Sequence, residues 1–259
     1  MVRTRAVPFA VGGDHSIALP AMRAVAKEHG PLAVIHVDAH LDTSDDAVWG
    51  DAYRHGTPLR HAIEEGLVER GQLHQVGVRA PWGYPEEGTL AANHGAVLHD
   101  AEAIAERGAV AVGAQIAQTI GAHPVYLTFD IDGVDPAFAP GTGTPVPSGL
   151  TSREAISLLR SLAGIRLVAM DLVEVCPALD HADVTAHLAA QLLYEGSCAT
   201  RASSSWAFTA KPNPRRRRRR YERAGGAFVR SLRRARYRVM QATDWGSMPS
   251  SERWRSPWR

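Results

Sequence analysis

The sequence predicts an α/β fold: a mostly parallel sheet with helices on both faces, followed by a basic tail. Three observations predict it. From residue 7 to about 195, short apolar runs alternate with stretches of helical period, and most of the joining loops are short. Two of the runs, Leu32-Ala33-Val34-Ile35-His36-Val37 and Val125-Tyr126-Leu127-Thr128-Phe129, end in clusters of acids. An open α/β sheet builds its site along the edge where its strands end. Finally, the charge changes sign. Residues 1–195 carry 12 Lys and Arg against 24 Asp and Glu, whereas residues 196–259 carry 17 against 3. The body, 1–195, and the tail, 196–259, are therefore regions of opposite character.

Taken in order, Val7 to Val11 is a short strand. Gly12-Gly13-Asp14-His15-Ser16 follows, where the glycines allow a tight turn and Asp14 or Ser16 can cap a helix over about 17–29. The strand 32–37 leads into Asp38-Ala39-His40-Leu41-Asp42, then a polar loop with Asp45, Asp46 and Asp51 that ends in Arg54-His55-Gly56-Thr57-Pro58. A helix near 58–65 and a strand at 73–78 come next. Residues 80–95 are rich in Gly, Pro and Asn and read as a surface loop with room for a helical turn. Helical period covers 101–121, weakened in the middle by Gly113. After the strand at 125–132, the prolines and glycines between Pro136 and Gly149 make a stiff loop. Thr151-Ser152-Arg153-Glu154 is a capping box opening a helix to about 163. The strand 166–175 carries Asp171 and Glu174, and a last amphipathic helix spans 181–195. The tail, with six arginines from Arg215 to Arg220, reads as largely disordered, with room for a short helix around 221–240.

Composition narrows the class. No run of about 18 apolar residues is present, which excludes an apolar membrane span. The start, Met1-Val2-Arg3-Thr4-Arg5-Ala6-Val7-Pro8, lacks a signal-peptide core, and Cys176 and Cys198 are the only cysteines, so a reducing cytoplasm is expected. The basic tail would attract nucleic acid only non-specifically.

In an extended backbone, side chains two apart share a face, so Asp38, His40 and Asp42 can point one way. Asp130 and Asp132 repeat the design after the second strand, and His15 ends a third. Four carboxylates at one sheet edge repel each other, and two divalent cations would offset that charge. Four carboxylates with two imidazoles suit Mn²⁺ better than Mg²⁺ or Zn²⁺.

Gly-Gly-Asp-His-Ser, Asp-Ala-His-x-Asp and Asp-x-Asp-x-x-Asp-Pro, in this order, resemble the ureohydrolases: arginase, agmatinase and their relatives. Residues 127–145 and His55-Gly56-Thr57-Pro58 look like the agmatinase branch, and the resemblance covers about residues 7–195. It implies a three-layer α/β/α fold and two Mn²⁺ per chain. His15, Asp38, Asp42 and Asp130 would hold one ion, and Asp38, His40, Asp130 and Asp132 the other. The implied reaction is attack of an activated water on a guanidinium carbon, giving urea and an amine. His55, Asp42 and Glu174 form the implied catalytic set. His55 would shuttle a proton to the leaving amine, and Glu174 would pair with the substrate guanidinium. The acids of the loops, Asp45, Asp46, Asp51, Glu86 and Glu87, favour a second cationic group on the substrate, hence agmatine and the product putrescine, a step in polyamine biosynthesis. A guanidino-acid hydrolase of the guanidinobutyrase kind is the alternative within the class. Only eleven residues precede Gly12, fewer than in most members, and the match ends near Glu195. An inactive shortened ureohydrolase with a polyanion-binding tail is the alternative outside it. Family members form trimers or hexamers, so a homo-oligomer is expected.

Overall fold

The computed structural model describes residues 6–45, 50–83 and 86–202. The chain divides into units 1–206 and 207–259. The expected disordered tail beyond residue 202, including its arginine run and the helix around 221–240, lies outside the described residues.

Six strands form one sheet among the described residues: β1 (Phe9–Val11), β2 (Leu32–Val37), β3 (Val68–Val76), β4 (Val97–His99), β5 (Pro124–Asp130) and β6 (Arg166–Val173). Their order is β1-β6-β5-β2-β3-β4, and every pairing is parallel. The helices are α1 (Ala18–His29), α2 (Pro58–Glu64), α3 (Glu86–His94), α4 (Ala101–Arg107), α5 (Ala109–Ile120), α6 (Ser152–Ser161) and α7 (Val184–Ala202).

β2 shows why the sheet must be covered on both sides. All six of its residues are buried. Leu32 and Val34 join a core with Met22 and Val25 of α1 and Leu59 of α2, while Ala33, Ile35 and Val37 join one with Ile116 of α5, Leu158 of α6 and Leu192 of α7. Alternate residues of one strand thus feed two cores, the period-two rule applied to a central parallel strand. The result is the expected three-layer α/β/α arrangement.

Strand order places the site. The chain leaves β1, crosses to β2 in the middle, builds outward through β3 and β4, and returns to β5 on the other side of β2. The direction of building reverses between β2 and β5, where open sheets leave a crevice at the carboxyl ends of the strands. Both acid clusters emerge there. Val37 pairs with Phe129, so Asp38 and Asp130 follow side by side.

Several expectations are corrected. Residues 80–95 are not simply a loop: α3 occupies 86–94, and β4 follows it at the sheet edge. The helix expected over 101–121 is two helices, broken at Gly108, which has φ +83°. Gly113 does not weaken α5. Its missing side chain lets α5 approach α6, because a Cβ there would run into Ser161 Oγ and Leu158 O. The capping box holds: Thr151 Oγ1 accepts from Glu154 N–H, and Glu154 Oε2 accepts from Thr151 N–H at 2.8 Å. β3 begins earlier than expected, at Val68. The last helix runs through Ala202 rather than ending at 195. Gly196 lies against Met170 and Phe9, and Ala199 is buried, so the added turns are packed.

Candidate metal centre and active site

Each expected ligand sits at a strand end. His15 opens a short 3-10 turn after β1, with Asp14 capping that turn through its bond to Ser16 N–H. Asp38, His40 and Asp42 follow β2. Asp130 ends β5, and Asp132 lies on a second 3-10 turn, Ile131–Gly133, capped by Asp130. Gly133 is required for the approach of these two segments: a Cβ would stand 3.1 Å from Asp38 N.

The six side chains converge. His15 Nδ1 stands 3.1 Å from Asp38 Oδ2, 2.9 Å from Asp42 Oδ2 and 3.3 Å from Asp130 Oδ2. It is buried and directed at all three, yet forms a well-shaped hydrogen bond with none. His40 Nδ1 stands 3.2 Å from Asp38 Oδ1 and 3.0 Å from Asp132 Oδ2. The two oxygens of Asp38 thus face two different imidazoles, the disposition of a bridging carboxylate. Backbone bonds fix the carboxylates. His40 N–H donates to Asp38 Oδ1 at 2.7 Å, Ala39 N–H to Asp132 Oδ1 at 3.0 Å, and Asp132 N–H to Asp130 Oδ1 at 2.8 Å.

The electrostatics show what this arrangement lacks. Burial opposes charge on His15, but Asp42, Asp130 and Asp38 overcome it and hold its pKa well above the usual value. Burial likewise opposes charge on His40, and Asp132 and Asp38 push it up to about 11. Burial, then the charge of Asp38, raises Asp132 to about 6, and burial followed by Asp38 and Asp132 raises Asp130. Protons are drawn to the places where carboxylates crowd. A divalent cation in the same place removes the repulsion, and nitrogen and oxygen donors of this kind suit one. Among the described residues, two groups have ligand atoms within 4.8 Å of one another: His15, His36, Asp38 and Asp42, and Asp38, His40 and Asp132.

His36 was not expected in the cluster. Gln75 Nε2 lies 3.3 Å from its Nδ1 and also donates to Leu41 O at 2.8 Å. Its Nε2 is therefore the protonated nitrogen, donating to Asp38 Oδ2 at 2.8 Å. It braces Asp38. The sequence did hold the signal: His36 has the same parity as Asp38, His40 and Asp42. Arg79 was also overlooked. Its guanidinium donates to Asp132 O at 2.8 Å, Gly77 O at 3.0 Å and Val146 O, tying the β3 end to the loop that carries Asp132.

Glu174 and His55 lie at the rim. Glu174 has φ +64° and Asp42 φ +53°, left-handed conformations that cost about 1–3 kcal/mol and tend to gather at functional sites. Glu174 N–H donates to Gly13 O, and its Oε1 accepts from His15 N–H at 2.7 Å. Burial raises its pKa, opposed by that bond and by the charge of His55, which therefore lies within electrostatic reach. His55 is exposed on a loop laced to the Asp42 segment, with Ser44 N–H donating to Gly56 O at 2.9 Å and Leu59 N–H to Asp42 O at 3.0 Å.

The loop acids are partly committed elsewhere. Asp45 pairs with Arg60 at 2.9 Å, and Glu87 accepts from Ser44 Oγ at 2.5 Å and Gly83 N–H at 2.9 Å. Asp46 lies outside the described residues. Among the described residues no helix is long and apolar enough to cross a membrane.

The chain is 44% identical over 199 residues to proclavaminate amidinohydrolase of Streptomyces clavuligerus, an alignment covering 75% of this chain and 63% of that protein. It is 43% identical to the mitochondrial agmatinase of Gallus gallus, covering 76% and 58%, and 42% identical to guanidinobutyrase of Pseudomonas aeruginosa, covering 74% and 60%. The chain thus spans about three fifths of the length of these relatives. Among solved structures, the Streptomyces clavuligerus amidinohydrolase superposes with TM-score 0.72 at 43% identity, covering 75% of this chain and 64% of that one. Arginase from Bacillus cereus superposes with TM-score 0.69 at 28% identity, covering 75% and 72%. The Arginase family profile matches residues 1–198, and the chain belongs to the arginase family.

Proposed function

We propose that this chain is a binuclear manganese amidinohydrolase that cleaves a guanidino compound, with agmatine as substrate, into urea and an amine. The convergence of His15 Nδ1 and His40 Nδ1 on shared carboxylates carries the reading. His15, Asp38, Asp42 and Asp130 would hold one ion, and Asp38, His40, Asp130 and Asp132 the second. Bound there, the pair would supply a water activated for attack on an electrophilic carbon.

The chain's own residues do the rest. Glu174 anchors one oxygen on His15 N–H, leaving the other to receive the planar guanidinium. His55, within electrostatic reach of Glu174, delivers a proton to the departing amine nitrogen. Asp42, held in a left-handed turn, orients its carboxylate beside His15. The reaction takes place in a reducing cytoplasm, consistent with two free cysteines, and the working unit is a homo-oligomer of three or six chains.

Agmatine is supported by the acidic body and by Asp51 on the loop. A guanidino acid is a second reading, favoured by the engagement of Asp45 with Arg60 and of Glu87 with Ser44, which removes two acids from the count facing a substrate. Urea release from agmatine, 4-guanidinobutyrate and arginine by the Mn²⁺-loaded protein tests both. The expected result is the highest kcat/KM for agmatine, falling as salt is added. If 4-guanidinobutyrate is best, the second reading stands. A protein with two bound ions that releases no urea from any of the three sinks both, and leaves a basic-tailed polyanion binder.

A further inference from the structure

Behind His15 lies a buried polar chain that the ligand set does not account for. His15 Nε2, the nitrogen turned away from the carboxylates, stands 2.7 Å from Thr128 Oγ1. Thr128 Oγ1 in turn stands 2.6 Å from Asp171 Oδ1, and Tyr126 OH reaches the other oxygen of Asp171. Thr128 and Asp171 are register partners on the neighbouring strands β5 and β6, so the contact follows from the sheet and not from a loop. Relative exposures are 0% for Thr128 and Asp171 and 1% for Tyr126 and His15. Burial raises the Asp171 pKa, opposed by the charge of His15 and by the Thr128 and Tyr126 hydroxyls; a carboxylate this deep is tolerated because its oxygens are hydrogen-bonded.

Donor counting gives the direction of the chain. Each hydroxyl has one proton, and ionised Asp171 can only accept. Tyr126 and Thr128 therefore both donate to it. The Thr128 oxygen is left as an acceptor and takes the proton on His15 Nε2. In the neutral ring that binds a cation, Nδ1 then keeps its lone pair, directed at the point shared by Asp38, Asp42 and Asp130. We propose that Asp171, acting through Thr128, is a positioning residue that fixes His15 with its proton on Nε2 and so aims Nδ1 at the first cation. A partner behind a ligating imidazole sets its tautomer and ring orientation and raises its basicity, and loss of such a partner costs about 10–100-fold in metal affinity. The inference rests on the metal-site reading above.

The test is Mn²⁺ titration followed by the electron paramagnetic resonance signal of the free ion, which reads binding without reference to turnover. Wild type should show two sites. Thr128→Val removes the hydroxyl while keeping the shape. Asp171→Asn turns one acceptor into a donor, which sends the Thr128 proton toward Nε2 and reverses the chain. Both should weaken one site about 10–100-fold and leave the other within about threefold. Thr128→Ser should restore binding to the wild-type value. Folded Thr128→Val with two unaltered sites overturns the inference, as does Thr128→Ser as weak as Thr128→Val, which would assign the effect to the methyl group. If both disruptive variants fail to fold, ¹⁵N-histidine NMR of wild type loaded with Cd²⁺ decides: Nδ1 coordination with a protonated Nε2 is expected, and Nε2 coordination overturns it. A wild type that takes up no Mn²⁺ overturns the metal-site reading itself. Two-site wild-type binding with an unaltered Thr128→Val overturns this inference alone.

Discussion

Asp38 is the residue on which the site depends most. Its two oxygens face His15 and His40 separately, and His36 braces it from behind. Asp38→Ala should therefore abolish urea release and remove at least one ion per chain, read by metal analysis after gel filtration. A variant with two ions and normal turnover would refute the bridging role. His55 belongs to a different layer of the site. It is exposed and stands outside the expected ligand set, so His55→Ala should leave metal content unchanged and lower kcat by about 10²–10⁴, the usual worth of a general acid–base group. An unchanged pH–rate profile in that variant would reduce His55 to a loop residue. The period-two spacing of Asp38, His40 and Asp42 was readable from the chain because parity in a strand is local. His36 has the same parity, but inside an apolar run it reads as a strand residue. Only the presence of Gln75 on the neighbouring strand gives its proton a direction. The pairing of Thr128 with Asp171 is likewise silent in sequence, because it depends on which strands are neighbours.

At the scale of elements, long periodic segments were legible and short or glycine-marked ones were not. β4 has three residues, too few to show a period. Gly108 and Gly113 look alike in the sequence, each within an alanine-rich stretch. One breaks the helix with φ +83°, whereas the other lets two helices approach. The distinction lies in α6, nearly fifty residues away. The carboxyl end of α7 gives a prediction of the same kind. The helix is expected to end at 195, where the charge of the chain changes sign, yet Gly196 lies against Met170 and Ala199 is buried. Glu195 itself accepts from Arg160 Nε at 3.0 Å and Nη2 at 2.7 Å. A chain ending after Ala202 should keep the Tm and metal affinity of the body. One ending after Glu195 should melt several degrees lower, since it exposes Met170 and the neighbouring core. Equal Tm values for the two, measured by calorimetry with the metals removed, would show that the last turns contribute nothing.

Among the described residues, the expected metal ligands gather where β1, β2 and β5 end, and a buried histidine pair lies on β3 and β4 at the other edge of the sheet. His74 on β3 and His99 on β4 stack with ring centroids 5.7 Å apart and Nδ1 to Nε2 at 3.4 Å, and His74 Nε2 has no hydrogen-bond partner. Burial, then the charge of His99, depresses His74 to about 4, while burial followed by Arg107 lowers His99. Both rings are thus held neutral in the folded state. An unfolded histidine takes up its proton near 6.5, so between about 6.5 and 4 the unfolded chain binds more protons than the folded one. Stability from this pair is complete above about 6.5 and is lost as the pH falls toward 4. His74→Leu removes the larger share of that dependence, and it forfeits no bond at Nε2. The Tm of metal-free wild type should fall further between pH 7 and pH 5 than that of His74→Leu. Chelation keeps metal release out of the comparison, and the acid cluster at the other edge titrates equally in both proteins. Parallel Tm curves for the two would mean that His74 gains a proton in the folded state as readily as in the unfolded one.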